Sequence, residues 1–320
     1  MTTKQRKITI VGAGNVGATI AYNLMIQGVC SEIVLVDVNK EKANGEAMDL
    51  LQSSACTPSV TVRSGEYSEI TESDAVIITC GLARKPDQTR LELAQVNLKI
   101  LTSVMTECVK YAPNAMYIIV ANPVDVLTYQ AIKCSGLPAN QVIGTGTLLD
   151  SNRLAAAVAS YLDVDTHSVN AYVYGEHGDA CMAPWSLCTV GGMKMEDYCK
   201  TVLGIKEEDM ATELDNIYTG MVKAGSMVIK AKGATFYAIA ASVVQLVKAI
   251  FSNKNTILPV STLLNGHYGA EDICLSIPCV VNGNGFAKQI EMPITDAEQK
   301  LFSEKIASLS ATYDALGVRK

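Results

Sequence analysis

The chain has 320 residues, long enough for one large two-lobed globule or two domains with an ample core. Apolar residues make up 49% and charged residues 18%, which suits a folded soluble enzyme and excludes a disordered chain. The net charge of −6 argues against nucleic acid and anionic membrane as partners, while leaving room for a local basic pocket that takes a small-molecule substrate.

Residues 1–7 are polar and basic and run directly into an apolar strand, without the apolar stretch and small-residue cleavage site of a secretory signal. Val-, Ile- and Leu-rich runs then alternate with amphipathic stretches. Strands are predicted over 7–11, 32–36, 60–63, 75–79, 116–120 and 141–144, and helices near 15–28, 40–51, 92–110 and 124–134. The strands are nearly continuous in Val and Ile, as parallel strands covered on both faces are. This predicts an α/β fold, a doubly wound parallel Rossmann sheet, over residues 1–145 as a dinucleotide-binding domain.

From about residue 146 the rhythm changes, and residues 146–320 are read as a second, α+β catalytic or substrate domain. Helices are predicted near 149–161, 207–230, 234–250 and from 295. Alternating or strand-like segments fall at 168–174, 256–264, 273–281 and 285–290. The most apolar stretch, 233–251, is broken by Ser242, Gln245 and Lys248 and reads as a buried helix, not a membrane span. None of the ten cysteines forms a C-x-x-C pair, so they are expected as free buried thiols, with no metal site and a cytoplasmic address.

Residues 11–17 read VGAGNVG, a G-x-G-x-x-G that closes the first strand and opens the first helix. There Gly12 permits the tight turn, Gly14 lets the backbone approach a pyrophosphate, and Gly17 lets the helix pack on the strand. The second strand ends at Asp37, placed to bond ribose hydroxyls and to repel a 2′-phosphate; its alternative is a solvated strand-end carboxylate. The expected cofactor is NAD. Of three histidines, His177 stands between glycines in YGEHGD (174–179), where it is either structural or the group that moves a hydroxyl proton.

Five segments in order, namely the Gly12 fingerprint, Arg84-Lys85-Pro86 through Arg90-Leu91, Ala121 to Asp125, Asp150 to Arg153 and Gly175 to Asp179, resemble the lactate/malate dehydrogenase family over essentially the whole chain. The resemblance implies that His177 is the acid/base and that Asp150 holds its tautomer and supports its charged form. Arg153 would grip the substrate's C1 carboxylate in a two-pronged bond. Arg90, on a lid over residues 81–96, would polarise the carbonyl once the lid excludes water. Asn122, Arg84 and Thr235 complete the implied substrate contacts. Gly12, Gly14, Asn15, Val16, Gly17, Asp37, Gly81 and Asn122 are the implied cofactor contacts. The bland alternatives stay open: a surface ion pair for Asp150 and Arg153, a turn residue for Asn122, a solvated lid charge for Arg90.

Two features divide on the substrate. Glu176 and the 233–237 segment Gly-Ala-Thr-Phe-Tyr resemble the lactate type. Arg84, where pyruvate-reducing members usually carry Gln, resembles the malate type and would pair a second carboxylate in a dry pocket, where an unpaired charge is costly. The expectation is therefore malate dehydrogenase acting on oxaloacetate and malate, with L-lactate dehydrogenase as the alternative. A non-catalytic NAD-binding protein is the minor third reading. The resemblance also implies a homotetramer. Ala155 and Asn170 stand where many bacterial relatives carry the Arg and His that bind fructose 1,6-bisphosphate, so no such site is expected.

Overall fold

The computed structural model describes residues 5–82 and 89–319. Five strands, β1 (Lys7–Val11), β2 (Glu32–Val36), β3 (Thr61–Ser64), β4 (Ala75–Ile78) and β5 (Met116–Ile119), alternate with helices α1 (Asn15–Ile26), α2 (Lys40–Gln52), α3 (Arg90–Tyr111) and α4 (Val124–Ser135). A sixth strand, β6 (Val142–Gly144), completes the parallel set, and the spatial order of these six is 3-2-1-4-5-6. That is the doubly wound order expected, with the reversal between β1 and β4 where such sheets bind ligands. Helices cover both faces: Ile8, Ile10, Ile33, Val34, Ile77, Ile118 and Ile119 have no solvent exposure.

Helix α5 (Leu148–Leu162) opens the second half. It leads to a small antiparallel sheet of β7 (Val169–Asn170), β8 (Thr189–Val190) and β9 (Met193–Lys194), then to α6 (Met195–Thr201), α7 (Glu207–Lys232) and α8 (Tyr237–Ser252). Strands β10 (Thr256–Asn265), β11 (Glu271–Asn282) and β12 (Gly285–Gln289) form an antiparallel meander, and α9 (Asp296–Leu316) ends the fold. The meander does not stand apart from the parallel sheet. It joins it through a single paired position, Ser261 opposite Gly144, making one nine-stranded sheet.

Two differences from expectation have local causes. The alternating run 168–174 forms ladder only at Val169–Asn170 and an isolated bridge from Tyr174 to Met182, because Gly175 and Gly178 turn the chain back onto itself. Helix α3 begins at Arg90, two residues earlier than the apolar pattern suggests. Thr89 caps it, accepting the Glu92 N–H at 3.1 Å while Glu92 accepts the Thr89 N–H at 2.9 Å. A second buried cluster, with Leu154, Val158, Val173, Cys181, Met195 and Met221, ties α5 to α6, α7 and the small sheet. Among the described residues no helix is long and apolar enough to cross a membrane.

Candidate active site

The glycine turn after β1 shows what each glycine is for. Gly12 has φ +110°, and a Cβ there would stand 2.6 Å from Thr79 Oγ1 and 2.8 Å from the Cys80 nitrogen. At Gly17 a Cβ would lie 1.9 Å from the Gly12 carbonyl oxygen, so the helix can meet the turn only without a side chain. Gly14 differs: a Cβ there meets no protein atom within 4 Å, leaving the space beside the turn free. Gly14 is also the N-cap of α1 and makes no side-chain cap bond, so the first amide groups of the helix remain available to an anion.

Asp37, just past β2, accepts the Ala13 N–H at 2.7 Å and the Asn39 N–H at 2.8 Å, which points its carboxylate toward the glycine turn. Asn15 is exposed and Val16 half-buried at the start of α1. Gly81 lies against Asn97 and Ala121. An open, anion-ready helix start beside a held carboxylate fits a dinucleotide whose pyrophosphate meets the turn and whose ribose meets Asp37.

The residues expected to carry acid–base chemistry come together from α5 and the loop after β7. His177 Nδ1 lies 2.6 Å from Asp150 Oδ2, and the other Asp150 oxygen takes Arg153 Nη1 at 3.5 Å. Asp150 is buried, held in the first turn of α5, where the helix N-terminus favours a negative charge. Three residues on, Arg153 rests against α7, where Gly225 presents bare backbone and a Cβ would come within 3.5 Å of the guanidinium. Burial disfavours the imidazolium of His177, but the Asp150 carboxylate outweighs it and the imidazole pKa is raised overall.

A second carboxylate meets His177 from behind. Asp125, in the first turn of α4, is buried and accepts the His177 backbone N–H at 2.8 Å through Oδ2 and the Ser261 hydroxyl at 2.6 Å through Oδ1. Its backbone carbonyl accepts the Tyr313 hydroxyl at 2.9 Å. Asn97, also buried, bonds Leu82 through N–H and carbonyl and donates to the Asn122 carbonyl at 2.7 Å. It thereby ties Leu82 to the turn after β5. Neither Asp125 nor Asn97 was expected in the site. Both leave a signal in the sequence, a polar residue on an otherwise apolar helix face, which burial makes costly unless it is bonded.

Asn122 is exposed at the carboxyl edge of β5, and Thr235 is half-buried between α7 and α8. Arg90 departs from expectation: it is exposed, and its guanidinium pairs with Asp179 instead of reaching over His177. Arg84 lies outside the described residues. Among the described residues no cluster of three or more His, Cys, Asp or Glu side chains is arranged to hold a metal ion.

Residues 6–144 match the family model of the lactate/malate dehydrogenase NAD binding domain, and residues 147–316 that of the lactate/malate dehydrogenase alpha/beta C-terminal domain. The chain is 43% identical to L-lactate dehydrogenase 1 of Clostridium acetobutylicum over 313 residues, 98% of this chain and 99% of that one. It is also 43% identical to the L-lactate dehydrogenase of Clostridium perfringens over 297 residues, 93% of each. Among solved structures it is similar to a minor L-lactate dehydrogenase from Enterococcus mundtii, with TM-score 0.93 and 41% identity over 98% of this chain and 99% of that one. Cryptosporidium parvum malate dehydrogenase is similar at TM-score 0.91 and 32% identity, over 98% of this chain and 99% of that one.

These relatives overturn the expectation of malate dehydrogenase. That expectation placed one lid charge, Arg84, above the framework carrying Glu176 and the 233–237 segment; the whole-chain similarity favours the lactate type. A substrate pocket is shaped by many contacts, and the identity of one charged residue is a weak guide to it. With the sheet order, the anion-ready turn and both domain models in agreement, the chain belongs to the lactate/malate dehydrogenase family and is an NAD-dependent dehydrogenase of that family.

Proposed function

We propose that the protein is an L-lactate dehydrogenase, interconverting pyruvate and L-lactate with NADH and NAD. The observation that carries the chemistry is the Asp150–His177 bond at 2.6 Å, with Arg153 attached to the other oxygen of the same carboxylate. The identity of the acid rests on the similarity to L-lactate dehydrogenases along the whole chain.

In this reading Arg153 binds the C1 carboxylate of pyruvate, which fixes the keto carbon relative to His177. Imidazolium Nε2 of His177, the nitrogen not bonded to Asp150, donates its proton to the keto oxygen as the alcohol forms. When bound, the nicotinamide supplies the hydride. Asp150 keeps Nδ1 protonated and stabilises the imidazolium before the transfer. Arg90 leaves Asp179 and turns to the developing oxyanion, where exclusion of water strengthens its pull. Asn122 positions the ring and substrate from the sheet edge, and Thr235 borders the methyl end of pyruvate.

His177→Asn tests the assignment. It is expected to lower pyruvate turnover by about 10²–10⁴-fold, the range general acid–base catalysis supplies. NADH affinity, read by fluorescence titration, stays within about twofold because the residue acts on the proton. Near-native turnover would falsify His177 as the proton carrier.

A further inference from the structure

Asp125 is a buried charge that substrate chemistry alone does not require. The cost of such a charge is met here by placement. Its two oxygens each receive one donor, the His177 N–H and the Ser261 hydroxyl, at 2.8 and 2.6 Å. It sits in the first turn of α4, where the helix N-terminus favours an anion. The Tyr313 hydroxyl bridges the Asp125 and Cys274 carbonyls at 2.9 and 3.1 Å, locking that turn to β11. Elements from four parts of the chain converge to hold one carboxylate against the main chain of the histidine.

We propose that Asp125 is a positioning residue for the acid–base couple, fixing the His177 main chain through its N–H and supporting the imidazolium alongside Asp150. This rests on His177 being the proton carrier. Among the described residues, the charged groups acting on His177 are Asp150 and Arg153 from α5, Asp125 from α4 and Glu176 in its own loop, while Asp179 of that loop is paired to Arg90 of α3. Arg153 opposes the imidazolium while Asp150 and Asp125 favour it. Burial raises the Asp125 carboxyl to about 6, while the Ser261 and His177 bonds favour its ionised form. Glu176 is pushed up to about 7 by burial and then by Asp125, and the carboxylate bonded to the His177 N–H is that of Asp125.

Asp125→Asn separates the two parts of the role. Its carbonyl oxygen can still accept the His177 N–H, and its amide can donate to Ser261, so the shape persists while the charge goes. Ser261→Ala removes the donor that holds Asp125 ionised, weakening the charge without touching α4, and carries the same test should Asp125→Asn not fold.

The measurement is the NMR titration of the His177 imidazole in the NADH complex, assigned by its loss in His177→Asn, beside the pH profile of kcat/KM for pyruvate. Pyruvate reduction needs the imidazolium, so kcat/KM falls as pH rises through its pKa. In Asp125→Asn the His177 midpoint and that falling limb move together to lower pH. Rates above the midpoint drop about three- to tenfold, since one unit is a tenfold change in protonated fraction, and the acid plateau barely changes. Ser261→Ala moves both the same way by less. A midpoint unchanged or raised in the variants that fold overturns the proposal, and so does a loss uniform across pH, the mark of a merely structural contact. If the native falling limb does not track the His177 midpoint, the proton-carrier reading fails, while the midpoint itself still decides whether Asp125 supports the imidazolium.

Discussion

Both oxygens of Asp37 are held by backbone N–H groups, at 2.7 and 2.8 Å, so this carboxylate cannot swing away from what approaches the glycine turn. A ribose with two free hydroxyls finds further lone pairs on it. A 2′-phosphate meets a fixed like charge, which costs several kcal/mol at a close interface. NADPH is therefore expected to be at least about 100-fold less efficient than NADH, at roughly 1.4 kcal/mol per decade. Asp37→Ser should narrow that gap by improving NADPH, and comparable native efficiencies with the two cofactors would contradict the role. At this scale the sequence named residues that the structure brings together: Asp37 bonds the glycine turn, and Asp150 bonds both His177 and Arg153. Asp125 and Asn97 show in the sequence only as polar residues on apolar helix faces, a signal that does not tell what packs over them. Ser261 and His177 lie more than fifty residues from Asp125 in sequence, and no local pattern announces them.

At the scale of elements, the start of α1 carries two different demands on the same residue type. Gly17 answers to the protein: its missing Cβ makes room for the Gly12 carbonyl, 1.9 Å from where a Cβ would sit. Gly14 answers to the ligand, because nothing in the protein fills the space beside it. Gly17→Ala should therefore lower the melting temperature by several degrees, as overpacking costs typically about 1–3 kcal/mol. Gly14→Ala should melt near the native temperature yet bind NADH about ten- to a hundredfold more weakly, the cost of losing a charge-assisted hydrogen bond. Calorimetry and fluorescence titration separate the two; equal melting losses would mean that Gly14 also serves packing. The parallel strands and their helices were readable to within two residues because a strand buried on both faces needs an unbroken apolar run. The short strands β8 and β9 and helix α6 were not, since two paired residues and two turns carry too little periodicity to see.

Across the whole molecule the candidate site assembles where the strand order reverses, with the glycine turn from β1, Leu82 beyond β4, Asn122 from β5 and the bonded His177 and Asp150 from the second half. The chemistry was legible from the order of these motifs, because each must end at the same sheet edge. The substrate was not, since Arg84, the one residue that pointed to a second carboxylate, lies outside the described residues. Similarity spread along the entire chain outweighs that residue and favours a lactate framework. The decisive measurement is kcat/KM for pyruvate and for oxaloacetate with NADH, on the native protein at one pH. A preference for pyruvate is the predicted result, and a preference for oxaloacetate would contradict the account.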